Sequence, residues 1–290
     1  MANGKKAALA ALKGTGIFVG YFILQNVALY AGQFIAGRQL AADNPGKVFS
    51  TEELQQFAME YNTKNSCWFI IIATVLMLLI MFIASLIRKK RFSDTVGMNK
   101  TSPKKALGGA LIGLGAAPLV LAILSLLPES VLSGYAQSSQ VLTGGSLLLT
   151  FFGTVVCAPL IEEIICRGII FKGMRKHVSF APAAIVSSVI FGLAHSLSGF
   201  SIVWVAYAFA LGLILAIVCE KTDSIIPTIC LHIAFNTYGT IISGLLAPFA
   251  GIPLLIIQAV AGAALITAGF FLLRKKAAVS NAVRFEVSEN

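Results

Sequence analysis

The chain has 290 residues, of which 57% are hydrophobic and only 12% charged, whereas an ordinary soluble domain carries roughly 25% charged residues. This composition excludes a water-soluble globular protein. The formal net charge of +10 could suggest a nucleic-acid-binding protein, but the Lys and Arg residues form short clusters between long apolar runs, as they do in the loops of membrane proteins. We therefore predict a protein whose surroundings are the lipid bilayer and which binds no nucleic acid.

Apolar runs recur along the chain, and most of them have about the 20 residues that cross a hydrocarbon core of roughly 30 Å. We predict an all-α, polytopic membrane protein with about eight transmembrane helices, and we expect the active site to lie within the helix bundle. In chain order the approximate bounds of the runs are 15–36, 67–87, 106–127, 146–170, 181–197, 201–219, 225–246 and 252–273.

Clusters of basic residues precede the first run and follow the second, fourth and eighth, at residues 5–13, 88–105, 172–176 and 274–276. All of them fall on one side if every run crosses the membrane. By the positive-inside rule that side is the cytoplasm. We therefore expect a multi-pass protein of the plasma membrane with both termini in the cytoplasm.

Three parts of the chain are distinguished by this pattern. Residues 1–145 supply three helices and an amphipathic outer loop at about 38–66, residues 146–246 form a helical core, and residues 247–290 supply the last helix and a basic, polar tail. The Gly-rich third run contains Gly109 and Gly113 in the GxxxG spacing, which is typical of close packing between membrane helices.

The fourth run contains two adjacent carboxylates and one guanidinium. Ionisable side chains within a membrane cost about 2.5 to 3.5 kcal/mol each on insertion scales, so they face a protein interior or a water cavity. Glu163 and Arg167 are four residues apart, and on a helix we expect them to pair. Glu162 points about 100° away from Glu163, which makes it the candidate general base. A buried cluster of ion pairs that only holds helices together is the alternative.

The fifth and seventh runs each carry polar groups at helical spacing. Phe191 and His195 are four residues apart, as are His232 and Asn236, so each pair shares a helix face. Counted from the cytoplasmic ends of their runs at about 1.5 Å per residue, Glu162, His195, His232 and Asn236 lie roughly 14 to 24 Å deep. This common layer indicates one site, whereas His and Asn that only bond neighbouring helices need not share a depth.

A Glu, two His and an Asn at one depth can carry out hydrolysis. A carboxylate with an imidazole can deprotonate water, and N–H donors can stabilise the tetrahedral oxyanion that results. A zinc site is the alternative, in which Glu162, His195 and His232 hold Zn²⁺ with a water at the fourth position. The sequence has no His-Glu-x-x-His motif. We favour the metal-free form and predict no firm cofactor, with zinc as the alternative.

Three short motifs in this order resemble the type II CAAX prenyl endopeptidase family, also called the CAAX protease and bacteriocin-processing (CPBP, or Abi) family. The resemblance covers about residues 145–245. The motifs are Glu162-Glu163-x-x-x-Arg167, Phe191-x-x-x-His195 and His232-x-x-x-Asn236.

The resemblance implies an intramembrane endopeptidase in which Glu162 and His195 activate water while His232 and Asn236 form the oxyanion hole. Family members are commonly labelled metalloproteases, so the resemblance leaves the metal question open. The residues expected to support the site are Glu163, Arg167 and Phe191.

The expected partner is a membrane-bound peptide or protein substrate. The family leaves its identity open, because bacterial members include bacteriocin-processing and immunity proteins and eukaryotic members trim prenylated CAAX tails. Two other functions stay open: a non-enzymatic immunity protein or partner of a membrane protein, and a proton-coupled transporter. The inverted repeats typical of transporters are not visible in the sequence.

Overall fold

The computed structural model describes residues 2–198 and 201–274, and within these ranges all regular secondary structure is helical. Seven helices are long and apolar enough to cross a membrane, and an eighth apolar helix, α7, is shorter. The predicted all-α, polytopic membrane fold is confirmed. We number the helices α1 (Ala2–Asp43), α2 (Thr51–Ile87), α3 (Phe92–Thr95), α4 (Pro103–Leu124), α5 (Glu129–Thr143), α6 (Leu147–Arg175), α7 (Phe180–Ala194), α8 (Ile202–Thr222), α9 (Ile226–Phe249) and α10 (Ile252–Leu272).

The first two helices are longer than their apolar runs predict. Helix α1 has 42 residues and α2 has 37, so the predicted outer loop at 38–66 is mostly helical and only residues 44–50 connect the two helices. The polar start of α2 is stable because Ser50 and Glu53 form a capping box, in which each side chain accepts a hydrogen bond from the backbone N–H of the other. The connection between the third and fourth apolar runs contains α5.

The remaining bounds agree with the predicted runs to within a few residues, except at the C-terminal end of α6, which continues to Arg175. Helix α7 has 15 residues and is therefore about 22 Å long, too short to cross a hydrocarbon core by itself. A 3₁₀ turn over His195–Ser198 follows it. The predicted C-terminal tail from residue 275 onward lies outside the described residues.

Helix α4 packs closely against two neighbours through its glycines. A Cβ atom added at Gly109 or Gly113 would lie 2.1 or 2.0 Å from a backbone oxygen of α9, so that only hydrogen fits at these positions. On another face of α4, Gly115 meets the backbone of α10 at Gly262 in the same way. The GxxxG spacing therefore marks a close helix contact, as predicted.

Helix α6 lies in the centre of the bundle and contacts α1, α2, α7, α8 and α9. It carries the carboxylates of the fourth run. Its neighbours bring the polar groups of the fifth and seventh runs against it, because α7 and α9 both pack on α6. This arrangement positions the candidate site.

Candidate active site

The Glu163 and Arg167 side chains of α6 form a fully buried ion pair, with both side chains 0% exposed and Nη1 of Arg167 3.1 Å from Oε1 of Glu163. Arg167 also donates from Nη2 to the Gly212 carbonyl of α8 at 3.1 Å. Its guanidinium lies 4.5 Å above the ring of Phe191 on α7. The predicted pair is present, and it ties α6 to both α7 and α8.

His232 of α9 lies between the two carboxylates of α6. Its Nδ1 is 3.1 Å from Oε1 of Glu163, a hydrogen bond, and its Nε2 is 3.8 Å from Oε2 of Glu162. A carboxylate on one ring nitrogen fixes the orientation of an imidazole. Glu163 therefore holds His232 with its Nε2 edge toward Glu162, while the same oxygen of Glu163 contacts Arg167.

His195 follows the last residue of α7, and its Nδ1 is 2.8 Å from the carbonyl oxygen of Phe191. Because a carbonyl only accepts hydrogen bonds, Nδ1 carries the proton in this contact, and a neutral ring then has a free lone pair on Nε2. The Phe191 ring lies beside both imidazoles, and its centroid is 4.8 Å from that of the His195 ring and 5.5 Å from that of the His232 ring. Phe191 thus spaces the two histidines.

Asn236 of α9 donates from Nδ2 to the carbonyl of Thr154 on α6 at 3.0 Å. That carbonyl is available for a local reason. The N–H of Ala158, which would reach it in an α-helix, bonds instead to Gly153 in a π-helical turn, and the next residue, Pro159, has no N–H. The π-turn therefore anchors Asn236, whose amide keeps a second N–H.

The four candidate residues line one cavity of about 160 Å³, hereafter the central cavity. Glu162, His195, His232 and Asn236 all contribute to its wall, whereas Glu163 and Arg167 lie behind it. A space of this size admits water together with part of a peptide. Aromatic rings make up much of the remaining wall, namely Tyr21, Phe22, Tyr135, Phe191, Trp204, Tyr207 and Phe235.

The contacts within the site differ in part from the predicted pairing. The sequence interpretation places Glu162 with His195, whereas the nearest imidazole contact of Glu162 in the described residues is with His232. The sequence interpretation also misses Thr154, which holds Asn236, and helix α5, which lines part of the cavity with Tyr135. Pro159 in the middle of an apolar run is a signal that could have indicated an irregular helix there.

The described residues give the zinc alternative no support. In the part of the chain that the structure describes, no three His, Cys, Asp or Glu side chains are grouped so that they could hold a metal ion. Glu162 and His232 are 3.8 Å apart, but His195 does not join them in such a group. We therefore assign no step of the chemistry to a metal.

The comparisons with known proteins agree with the motifs. Residues 144–238 match the family described as type II CAAX prenyl endopeptidase Rce1-like. The Bacillus subtilis (strain 168) protein named "Putative membrane peptidase YdiL" is 33% identical over 86 residues, which are 30% of this chain and 34% of that relative, so the match spans about a third of the relative's length. No solved structure matches the chain. The segment that carries all three motifs thus matches the Rce1-like type II CAAX prenyl endopeptidase family, and the predicted resemblance is confirmed.

Proposed function

We propose that the protein is an intramembrane endopeptidase that hydrolyses peptide bonds of membrane-associated peptides or proteins. The observation that carries the proposal is the convergence of Glu162, His195, His232 and Asn236, from three separate helices, on the central cavity. The match to a membrane peptidase family supports the reaction type.

In the proposed mechanism Glu162, assisted by the free Nε2 of His195, takes a proton from a water molecule in the cavity. The hydroxide oxygen forms a bond to the carbonyl carbon of the peptide, and the carbonyl electron pair moves onto its oxygen. When the intermediate collapses, the C–N bond breaks and the proton held by Glu162 passes to the leaving amine. The products are a carboxylic acid and an amine.

Two donors are available for the oxyanion. In the form with a proton on each ring nitrogen, His232 would donate from Nδ1 to Glu163 and from Nε2 into the cavity, next to Glu162. Asn236 uses one amide N–H on Thr154 and keeps the other. Donors held in advance by the surrounding structure stabilise a developing negative charge without reorganising. Here Glu163 holds His232, and Thr154 holds Asn236.

Cleavage within a chain fits the cavity better than removal of a single carboxy-terminal residue. Among the described residues that line it there is no Lys and no Arg, and Glu162 is the one acidic side chain. A carboxypeptidase has to neutralise the free carboxylate of its substrate, and for that a fixed cation is needed. The wall therefore suits an uncharged stretch of peptide.

The test compares strains that carry the wild type, Glu162→Gln and the control Glu60→Gln. Glu60 is exposed on α2, far along the chain from the motifs. We expect new peptide termini in the membrane proteome of the wild-type and Glu60→Gln strains. For Glu162→Gln we expect cleavage to fall about 10²- to 10⁴-fold at unchanged expression and thermal stability. If the same termini persist in the Glu162→Gln strain, the assignment of the base is wrong.

A further inference from the structure

We propose that helix α5 is a positioning helix, which holds His195 in place for catalysis through the aromatic rings of Tyr135 and Trp204. The inference rests on the proposed function for the reaction and on the contacts of α5 for the role of that helix. Helix α5 ends at Thr143, whereas the segment that matches the endopeptidase family begins at residue 144. Helix α5 therefore adds to the site from outside the matched segment.

The position of His195 is fixed only in part by its own helix. His195 follows the last residue of the short helix α7 and begins a 3₁₀ turn. The hydrogen bond between its Nδ1 and the carbonyl of Phe191 holds one edge of the ring. A single hydrogen bond leaves the imidazole free to turn about that bond. The direction of Nε2, which the proposed mechanism uses, then depends on the side chains that pack against the ring.

Two aromatic rings pack against the imidazole of His195. The centroid of the Phe191 ring lies 4.8 Å from that of His195, and the centroid of Trp204 on α8 lies 5.8 Å from it. Trp204 is buried in the first turn of α8, where its backbone N–H donates to Oγ of Ser201. The place of the Trp204 ring therefore contributes to the direction of Nε2.

Tyr135 of α5 holds the Trp204 ring. The centroids of the two rings are 5.9 Å apart, with an angle of 78° between the ring planes. Tyr135 makes a second contact of the same kind with Tyr207, one turn further along α8, at 5.9 Å and 83°. Edge-to-face contacts at these distances are a favourable arrangement of aromatic rings. Tyr135 thus fixes the side of α8 that carries Trp204.

The C-terminal end of α5 is anchored to two other helices. The carbonyl of Leu142 accepts hydrogen bonds from Oγ1 of Thr154 on α6 at 3.1 Å and from Sγ of Cys67 on α2 at 3.4 Å. Tyr135 and Leu142 are seven residues apart, so they share one face of α5, and both line the central cavity. Helix α5 is therefore held at its end by α6 and α2, and it supports α8 from its middle.

The first experiment measures the support of Trp204 without any cleavage. The chain has two Trp residues, so in a Trp68→Phe background the fluorescence of the purified full-length protein in detergent reports on Trp204 alone. We expect acrylamide to quench this fluorescence more strongly when Tyr135→Ala is added, because the ring that covers Trp204 is removed. We expect Tyr135→Phe, which keeps the ring, to be quenched like the background protein. Equal quenching of all three proteins overturns the proposal.

The second experiment measures the effect on catalysis, with a reporter peptide that carries a cleavage site found in the wild-type membrane proteome. Since a displacement of about 1 Å at a catalytic group can cost about 10²-fold, we expect Tyr135→Ala to lower kcat about 10- to 10²-fold with a smaller change in KM. Tyr135→Phe should restore kcat. The control Tyr30→Ala removes an exposed ring of α1 and should cleave like the wild type. A raised KM at unchanged kcat overturns the proposal, because Tyr135 then contacts the substrate and does not position His195.

The third experiment tests whether α5 works in the place where the structure has it. A Cβ atom at Gly144 would lie 3.6 Å from the Cβ atom of Thr63 on α2, within the range of about 3.5 to 4.5 Å that a disulfide needs. We therefore expect Thr63→Cys/Gly144→Cys to form a disulfide, identified by peptide mapping, and to cleave equally well when oxidised and when reduced.

Two results of the third experiment overturn the proposal. If oxidation stops cleavage and reduction restores it, α5 has to move during the reaction and is a lid. If the two thiols cannot be joined, the end of α5 does not lie on α2. A wild-type protein that cleaves no peptide contradicts the proposed function instead, and the quenching of Trp204 still decides whether α5 supports that ring.

Discussion

Replacement of Arg167 by Met should destabilise the protein strongly, and the structure gives the magnitude. Arg167 is fully buried, pairs with Glu163 at 3.1 Å, and donates to the Gly212 carbonyl. Met has a similar length but no charge, so Arg167→Met leaves the Glu163 carboxylate buried without its cation. Removal of one partner of a buried ion pair costs about 3 to 5 kcal/mol. We expect a loss of that size in the free energy of unfolding.

The double variant Glu163→Gln/Arg167→Met tests whether the loss comes from the uncompensated charge. The Gln side chain is neutral and its amide oxygen can still accept the hydrogen bond from Nδ1 of His232. Because replacing a whole buried pair with neutral groups is often close to neutral, we expect the double variant to lie within about 1 to 2 kcal/mol of the wild type. The single and double variants should thus differ by at least about 1 kcal/mol, in favour of the double variant.

The assay is unfolding of purified protein in mixed detergent micelles, followed by the fluorescence of the two Trp residues, with cleavage measured on the same samples. In the double variant we expect stability to recover but cleavage to stay low, since a neutral amide oxygen holds Nδ1 of His232 in a weaker hydrogen bond than a carboxylate does. A double variant as unstable as Arg167→Met would refute the account of Glu163 and Arg167 as one energetic unit.

Three further predictions concern packing, the oxyanion and metal dependence. Gly113→Leu should lower the free energy of unfolding by about 1 to 3 kcal/mol or more, because its Cβ atom would lie 2.0 Å from the carbonyl oxygen of Leu231. The control Gly16→Leu lies at a site with open space and should melt like the wild type in thermal unfolding. Asn236→Ala should lower kcat about 10²- to 10³-fold with little change in thermal stability; an unchanged kcat in reporter cleavage would remove it from the oxyanion hole. Chelator treatment should leave cleavage unchanged. This expectation is wrong if elemental analysis finds stoichiometric zinc and the chelator removes zinc and activity together.

Hydropathy alone predicts the fold class and places most helix ends within a few residues, because a long apolar run has few alternatives to a membrane helix. It does not predict that α1 and α2 continue far beyond their apolar runs. Those extensions depend on local interactions in water, such as the capping box at Ser50 and Glu53. Helix α7 differs from its apolar run in the opposite direction, because the run continues past the last helical residue, Ala194.

Spacing along each helix predicts which side chains share a face of that helix. It does not predict which faces of two neighbouring helices pack together. The i and i+4 rule places Glu163 on Arg167 and Phe191 beside His195, and both contacts are present. The contact of Glu162 with His232 depends on how α6 and α9 are rotated about their axes. The π-turns of α6 change that rotation, because each adds residues to a turn, and no spacing rule for regular helices anticipates them.

The close packing in the half of the bundle that carries the basic clusters has a consequence for the energy balance of the cell. Moving one elementary charge across a membrane held at 100 mV is worth about 2.3 kcal/mol, so a hydrolase that let solvent run through the bilayer would drain the proton gradient. Here Gly109 packs directly on the backbone of Pro227, and Gly168 packs on that of Val96. For the proposed hydrolysis, such packing would let water reach the central cavity while the membrane stays closed to ions.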